Sequence, residues 1–506
     1  MTRTPHPHSD SREAMSPEQK AVLAVLLIPA FASLLSVSSV NVLLTVIQES
    51  LGASASGLQW VIAGYSLVFG VLLVAAGRAG DVLGRARLFV IGLTLFGLGS
   101  LGCALAGSIS LLNLSRVVMG VGAGLFNPQV TGMIQRVFPG PMRGRAFGWF
   151  GAAIGVSIAL GPVMSGVLLQ VLGDDVGWRV SFAVNTPIAA AGVLAAWKVL
   201  PPSTWRGAST QEAPGAPGTP GLQGTGAQPV GGGPRRADVD PVGMLLLATS
   251  MLLLMLPFVS LGAEASGLAS ALGGVACLGA WTAWERWYLA RGREPMVDLR
   301  LFSRRSFSGG CLVIAVHFFG TTSIWIVVAQ YIQQGLGRSA LTTGIVGLPS
   351  ALIGAVLAPV VGRYVLRAGR AMVLTGIGVV IVGLAVSAWA VEAQIDDSHG
   401  VWVLALTLTL VGIGQTLVVG PNQTLSLMDV PLRYAGTAGG VLQTGQRLGT
   451  AMGVAVISSL AFTVAASSGW ERALIISVLA IIASLLVAGA VAVVDIVGAQ
   501  RETRTD

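Results

Sequence analysis

The chain has 506 residues, of which 53% are hydrophobic and 10% charged. A soluble domain carries about 25% charged residues, so this chain has less than half the charge it would need to cover itself in water. That excludes a soluble enzyme, a disordered chain and a fibrous protein, and leaves an all-α polytopic membrane protein.

A helix needs about 20 apolar residues to cross the hydrocarbon. Candidate spans follow in chain order at 21–47, 59–77, 88–107, 110–135, 146–172, 180–199, 241–262, 266–287, 306–332, 342–363, 371–391, 401–424, 438–464 and 473–495, fourteen in all. The first run is too long for a signal-peptide core and lacks a small-residue cleavage site, so it reads as a retained helix. Segment 201–240 is different material, with 9 Gly and 7 Pro and no apolar period; it reads as a flexible linker. The cysteines, Cys103, Cys277 and Cys311, have no paired or metal-ligand spacing, so neither a disulfide framework nor a metal site is expected.

The net charge of +8 becomes a topology signal once the charges are placed. With the N-terminus in the cytoplasm, 25 of the 30 basic residues fall on the inner side. Arg179, Arg338 and Arg472 fall outside, and Arg116 and Arg447 lie within spans. The positive-inside rule then implies an even span count with both termini cytoplasmic. The 22 acids divide between the two faces, with none clearly inside a span; Glu49, Glu392 and Asp495 stand at span ends, and Glu285 reads as cytoplasmic.

The chain repeats itself. Gly77-Arg78-Ala79-Gly80-Asp81-Val82-Leu83-Gly84-Arg85-Ala86 follows span 2, and Gly362-Arg363-Tyr364-Val365-Leu366-Arg367-Ala368-Gly369-Arg370-Ala371 follows span 10. Gly, Arg, Gly, Arg and Ala recur at five of the ten places. Gly120-Val121-Gly122 in span 4 is echoed by Gly412-Ile413-Gly414 in span 12. Two six-helix halves related in parallel mark one transporter architecture. The expected organisation is an N-terminal tail over 1–20, a six-helix bundle over 21–199, the linker over 200–240, two inserted helices over 241–287, a basic loop over 288–305, a second six-helix bundle over 306–495, and a tail over 496–506.

Six stretches, in order along the chain, resemble the major facilitator superfamily in its 14-spanner drug:proton antiporter branch. They are Gly77…Asp81…Gly84-Arg85, Arg116 followed by Gly120, Gly122 and Gly124, Gly161-Pro162-Val163-Met164-Ser165-Gly166, Gln59-Trp60 with Tyr65, Trp178-Arg179 with Phe182, Asn185 and Pro187, and Gly436-Thr437-Ala438-Gly439-Gly440 running into Gln443, Arg447, Leu448 and Gly449. The resemblance covers about residues 20–495. It implies a secondary active exporter of amphiphilic drugs or a related metabolite, working by alternating access with proton antiport, as a monomer in a bacterial plasma membrane. Its partners would be a small-molecule substrate, protons and the lipid bilayer, with no cofactor, metal or nucleic acid.

The resemblance also assigns roles. Gly77, Asp81, Gly84 and Arg85 would form a conformational latch. Glycine permits the tight turn, and Asp81 can meet a helix N-terminus or an Arg across the loop. The alternative is a positive-inside anchor with one incidental acid. Gly155, Gly161, Pro162 and Gly166 would form a pliable antiporter hinge, or else pack helices closely. Arg116 and Arg447 are embedded charges and by default functional; each would handle substrate or protons, or else hold helices together through backbone carbonyls. Asn41, Tyr65 and Gln129 are neutral polar groups available to the pathway.

One departure stands out. Many relatives carry an Asp in helix 1 a few residues before an Asn-Val pair. Asn41-Val42 is present, but the Asp position reads Ser36 and the following Pro position reads Thr45. Three alternatives follow. His317, in span 9, takes the proton; Glu49 at the outer end of span 1 faces Arg116; or the protein is a facilitator or exchanger that is not coupled to protons. An interior with two Arg and no acid disfavours cationic substrates and favours a neutral, zwitterionic or anionic one. No phosphate-binding loop for ATP occurs. Asp396, Asp397 and His399 are the one close grouping of catalytic residue types, and they fall in a polar loop, so an enzyme is not expected.

Overall fold

The computed structural model describes residues 15–207, 240–259, 264–293, 295–338, 340–393, 400–431 and 434–505. Most of the expected linker, the first fourteen residues of the N-terminal tail, and the grouping Asp396, Asp397 and His399 lie outside the described residues. The helices are α1 (Pro17–Leu51), α2 (Ala55–Leu83), α3 (Arg85–Ala104), α4 (Ile109–Val137), α5 (Pro141–Leu172), α6 (Asp174–Ala183), α7 (Asn185–Val199), α8 (Pro202–Trp205), α9 (Pro241–Val259), α10 (Glu264–Ala290), α11 (Arg305–Thr321), α12 (Ser323–Gln330), α13 (Ala340–Ala368), α14 (Arg370–Glu392), α15 (Gly400–Leu427) and α16 (Ala435–Thr505). A π-turn, Tyr331–Gly335, follows α12.

The apolar runs set the helices, and local chemistry sets their ends. Ser16 and Gln19 form a capping box on α1. Ser54 and Ser108 accept from the Gly57 and Leu111 amides at 3.1 and 3.3 Å. Each such cap is worth about 1 kcal/mol. Several helices overrun their expected spans. The first apolar run spans 21–47, whereas α1 covers 35 residues, Pro17–Leu51. The bilayer limits the apolar stretch; a helix continues in polar surroundings until a cap or a glycine stops it. Gly52 does so for α1, with φ +58°.

Among the described residues, twelve helices are long and apolar enough to cross a membrane. One of these runs from Ala435 to Ile496, 62 residues, through a break at Gly469 (φ +84°). The seventh expected span appears as the shorter apolar stretch Pro241–Pro257.

Two large cores form. The first gathers residues of α1 to α7, including Phe89, Phe96, Phe126 and Trp178. The second gathers α11 to α16, including Ile324, Val380, Leu408 and Ile481. The first core also takes in Val430, Tyr434 and Ala438 from the beginning of α16 and the turn before it, joining the halves at one end. That end carries Arg78, Arg85, Arg143, Arg363 and Arg370, and is called the basic end below. A third, smaller core holds Leu247 and Met251 of α9 and Trp281 of α10 against Val74 of α2, with Val441 and Leu448 of α16 packed on it. The pair α9–α10 therefore lies along the seam between α2 and α16. Asp240 caps α9 through the Gly243 amide at 3.0 Å and accepts from Trp284 Nε1 at 3.0 Å. Glu285, expected among solvated cytoplasmic acids, is buried beside Asp240 and Gly243 because α10 continues to Ala290.

Candidate functional site

Asp81 is 6% exposed at the end of α2. It meets both expected kinds of partner at once. Arg85 donates from Nε at 3.0 Å and places Nη2 at 2.9 Å from the same carboxylate oxygen, Oδ1. On the other side, Asp81 accepts from the Gly436 and Thr437 amides at 3.2 and 3.0 Å and from Thr437 Oγ1 at 3.1 Å. These amides open α16, where a helix leaves N–H groups unpaired and its dipole favours an anion. The carboxylate thus ties the first half to the second. Arg85 Nη1 also donates to the Gly132 carbonyl at 2.6 Å, fixing the turn to α4.

Backbones must come very close for this contact. A Cβ built on Gly77 would lie 2.5 Å from the Gly436 oxygen, and one on Gly440 would lie 2.6 Å from the Leu73 oxygen. Only glycine allows that approach. Gly84 turns the chain with φ +105° and touches the Trp205 carbonyl. A second seam forms between α5 and α13, where Gly144 and Gly362 each abut the other's carbonyl oxygen and Gly148 abuts Ala358. A Cβ on Gly155 would lie 3.5 Å from the Ala351 oxygen, and nothing described lies within 4 Å of a Cβ on Gly151, Gly166 or Gly344.

Arg116, in α4, is 1% exposed. It donates from Nε to the Val61 carbonyl at 2.8 Å and from Nη1 to Ser36 Oγ at 3.0 Å. Its guanidinium carbon lies 4.4 Å from the Tyr65 ring centre and 5.9 Å from that of Phe182. Arg116 thus touches position 36, where the resemblance led to the expectation of an acid, and this chain offers a hydroxyl there. Arg447, in α16, stands 4.2 Å over the Phe69 ring, whose centre is 5.9 Å from that of Tyr65.

The other expected pathway residues lie elsewhere. Glu49 is exposed near the end of α1, thirteen residues or about 20 Å of helix from Ser36; it does not pair with Arg116. His317 is fully buried, with neither ring nitrogen hydrogen-bonded among the described residues. Its neighbours along α11, Gly309 and Gly320, face Asp495 and Ser484 of α16, so it packs inside the second half. Gln129 donates from Nε2 to the Ala76 carbonyl at 2.7 Å and pins α4 to α2 beside Gly80. These three are structural placements rather than members of the Arg116 cluster. The side chain of Asn41 lies outside the described residues.

The segment around Gly161 and Pro162 is tied to α1. Ser38 and Ser39 of α1 donate to the Ser157 and Gly161 carbonyls, both at 3.1 Å, and Gly161 leaves room for Ser38. Pro162, within α5, has no N–H to give the preceding turn. Sequence reading missed Ser38 and Ser39. Their signal was the run Ser36-Val37-Ser38-Ser39 inside an otherwise apolar span.

The chain resembles known proteins in both sequence and shape. It is 33% identical over 457 residues to the "Probable actinorhodin transporter" of Streptomyces coelicolor, covering 87% of this chain and 72% of that one. It is 28% identical over 417 residues to the "Tetracenomycin C resistance and export protein" of Streptomyces glaucescens, covering 82% and 70%. It is 29% identical over 427 residues to the "Multidrug resistance protein Stp" of Mycobacterium tuberculosis, covering 83% and 72%. These are transporters, not enzymes. The human organic anion transporter MFSD10 (TETRAN) shares the fold at 17% identity, with TM-score 0.62 and coverage of 94% and 100%. The proton:xylose symporter XylE does so at 15% identity, with TM-score 0.61 and coverage of 92% and 94%. The family model described as Major Facilitator Superfamily matches residues 26–454. With two helical cores joined at one end by a capped helix, a family model that matches most of the chain, and a relative 33% identical over 87% of it, the chain belongs to the Major Facilitator Superfamily.

Proposed function

We propose that the chain is a secondary active exporter of amphiphilic drugs or a related metabolite, working by alternating access in a bacterial plasma membrane. The observation that carries this reading is the Asp81 contact. A carboxylate of one half caps a helix of the other, beside glycines that let the backbones touch. Such a contact closes one end and must break before that end can open. The basic end is cytoplasmic by the positive-inside rule, so this conformation is closed to the cytoplasm. The export direction is supported by the names of the relatives from Streptomyces and Mycobacterium.

The protein has fourteen spans in two six-helix halves plus α9 and α10. Dividing Ala435–Ile496 at Gly469 and adding Pro241–Pro257 supports that count. The inserted pair packs on the α2–α16 seam. Coupling is proton antiport. The competing reading, an uncoupled facilitator or exchanger, is favoured by one observation, that Ser36 and not an acid faces Arg116.

Efflux of an aromatic carboxylate and of a cationic dye from proteoliposomes, with and without an imposed pH gradient, tests both. Antiport predicts that the gradient speeds efflux of at least one of them and that Arg116→Ala abolishes the acceleration. Equal rates with and without the gradient refute antiport and leave the facilitator.

A further inference from the structure

We infer that the interior binds an aromatic organic anion, seated on a row formed by Arg116, Tyr65, Phe69 and Arg447. This rests on the transporter reading and gives its pathway a substrate class.

The row is continuous. Arg116 faces the Tyr65 ring at 4.4 Å, the Tyr65 and Phe69 ring centres are 5.9 Å apart, and Arg447 stands 4.2 Å from the Phe69 centre. Three helices build it: α4 gives Arg116, α2 gives both rings, and α16 gives Arg447. It therefore crosses from one half to the other. Arg116 follows the start of α4 by seven residues and Arg447 follows the start of α16 by twelve, about 10 and 18 Å along the helices. The two helices start at opposite ends of the bundle, so both charges lie well within it.

The charges are unbalanced. Arg116 bonds a carbonyl and a hydroxyl, both neutral. Arg447 makes no hydrogen bond and no ion pair among the described residues. Arg447 is partly buried, so part of its side chain stays accessible. The buried acids lie elsewhere: Asp81 is held by Arg85 and the start of α16, Asp495 pairs with Arg370 at 2.7 Å, and Asp240 and Glu285 stand at the basic end of α9 and α10. An embedded guanidinium without a counter-charge is expensive. Its planar fork suits a carboxylate or enolate. Both guanidiniums already lie on ring faces, a geometry that also admits a flat aromatic ligand. Position 36 decides the outcome. An Asp there would stand against Arg116 and cancel its charge; Ser36 leaves that charge for the ligand.

Equilibrium binding tests this without any gradient, so it fails independently of the transport reading. The full chain in lipid nanodiscs is titrated with 1-naphthoate, with 1-naphthamide and with 1-naphthylmethylammonium, and binding to empty nanodiscs is subtracted. The expected result is naphthoate at least tenfold tighter than the other two. Arg447→Gln should remove that preference and leave naphthamide unchanged, and Arg447→Lys should keep most of it, which separates charge from folding. Ser36→Asp should weaken naphthoate about tenfold. Equal binding of the three probes, or a preference that survives Arg447→Gln, overturns the inference. So does displacement of naphthoate by chloride below about 10 mM, since the site would then serve inorganic anions.

Discussion

The two copies of the ten-residue repeat place an Arg at the same register, Arg85 in one and Arg370 in the other, and put it to different use. In the first copy Arg85 pairs with Asp81 four residues earlier, and Asp81 reaches across to Gly436 and Thr437. In the second copy the matching position is Leu366, and Arg370 takes its carboxylate from Asp495 at 2.7 Å. Arg370 also donates to Asn422 Oδ1 at 2.8 Å and to the Ser306 carbonyl. All of these partners belong to the second half. One copy ties two bodies together, and the other holds one body in shape. The difference teaches that a loop motif becomes a latch through what its acid caps, not through its Arg or its glycines.

Four substitutions set the copies against each other. Asp495→Asn leaves Arg370, whose side chain is 12% exposed, without its anion. Breaking a buried pair costs about 3–5 kcal/mol, so thermal unfolding in detergent should show a large loss of stability, with the basic-end gate unmoved. Asp81→Asn removes charge-assisted bonds worth about 1.5–3 kcal/mol. That should shift the closed-to-open ratio roughly tenfold to a hundredfold, efflux rate should fall, and the unfolding midpoint should also drop because buried Arg85 loses its anion. His317→Leu replaces a buried, unbonded ring by an apolar group. Stability should change by less than about 1 kcal/mol, and any gradient dependence of efflux should persist; its loss would make His317 the coupling residue. Leu366→Asp restores the missing acid four residues before Arg370. Leu366 is 39% exposed, and an exposed pair of this spacing yields about 0.3–0.5 kcal/mol. The first turn of α5 lies against this loop, with Gly144 on Gly362, so unchanged efflux is expected if the new acid only pairs with Arg370, and slower opening of the basic end if it caps α5.

The spans were legible because hydrocarbon imposes a length on apolar runs, and the Arg distribution gave them a direction. Helix ends were less legible, since α1 and α10 continue past the apolar stretch. Asp81 could be singled out as a lone acid among glycines in a short basic loop. Its partner, 355 residues away, is set by how the halves meet. The pathway residues fared worse for a physical reason. In a helix apolar all round, periodicity does not say which side faces a cavity and which faces a neighbour. Gln129 and His317 turned toward neighbouring helices, while Ser36, noted only as an absent acid, proved to be Arg116's partner.

The central claim is that Asp81 holds the basic end shut. Leu83 and Leu366 are both exposed at that end, at 48% and 39%, and belong to different halves. Spin labels placed at these two positions in a cysteine-free background report the gate by pulsed electron resonance. In the otherwise wild-type chain, a single short-distance population should dominate. With Asp81→Asn added, a second, longer population should appear and grow at the expense of the first. Identical distance distributions in the two proteins would contradict the account.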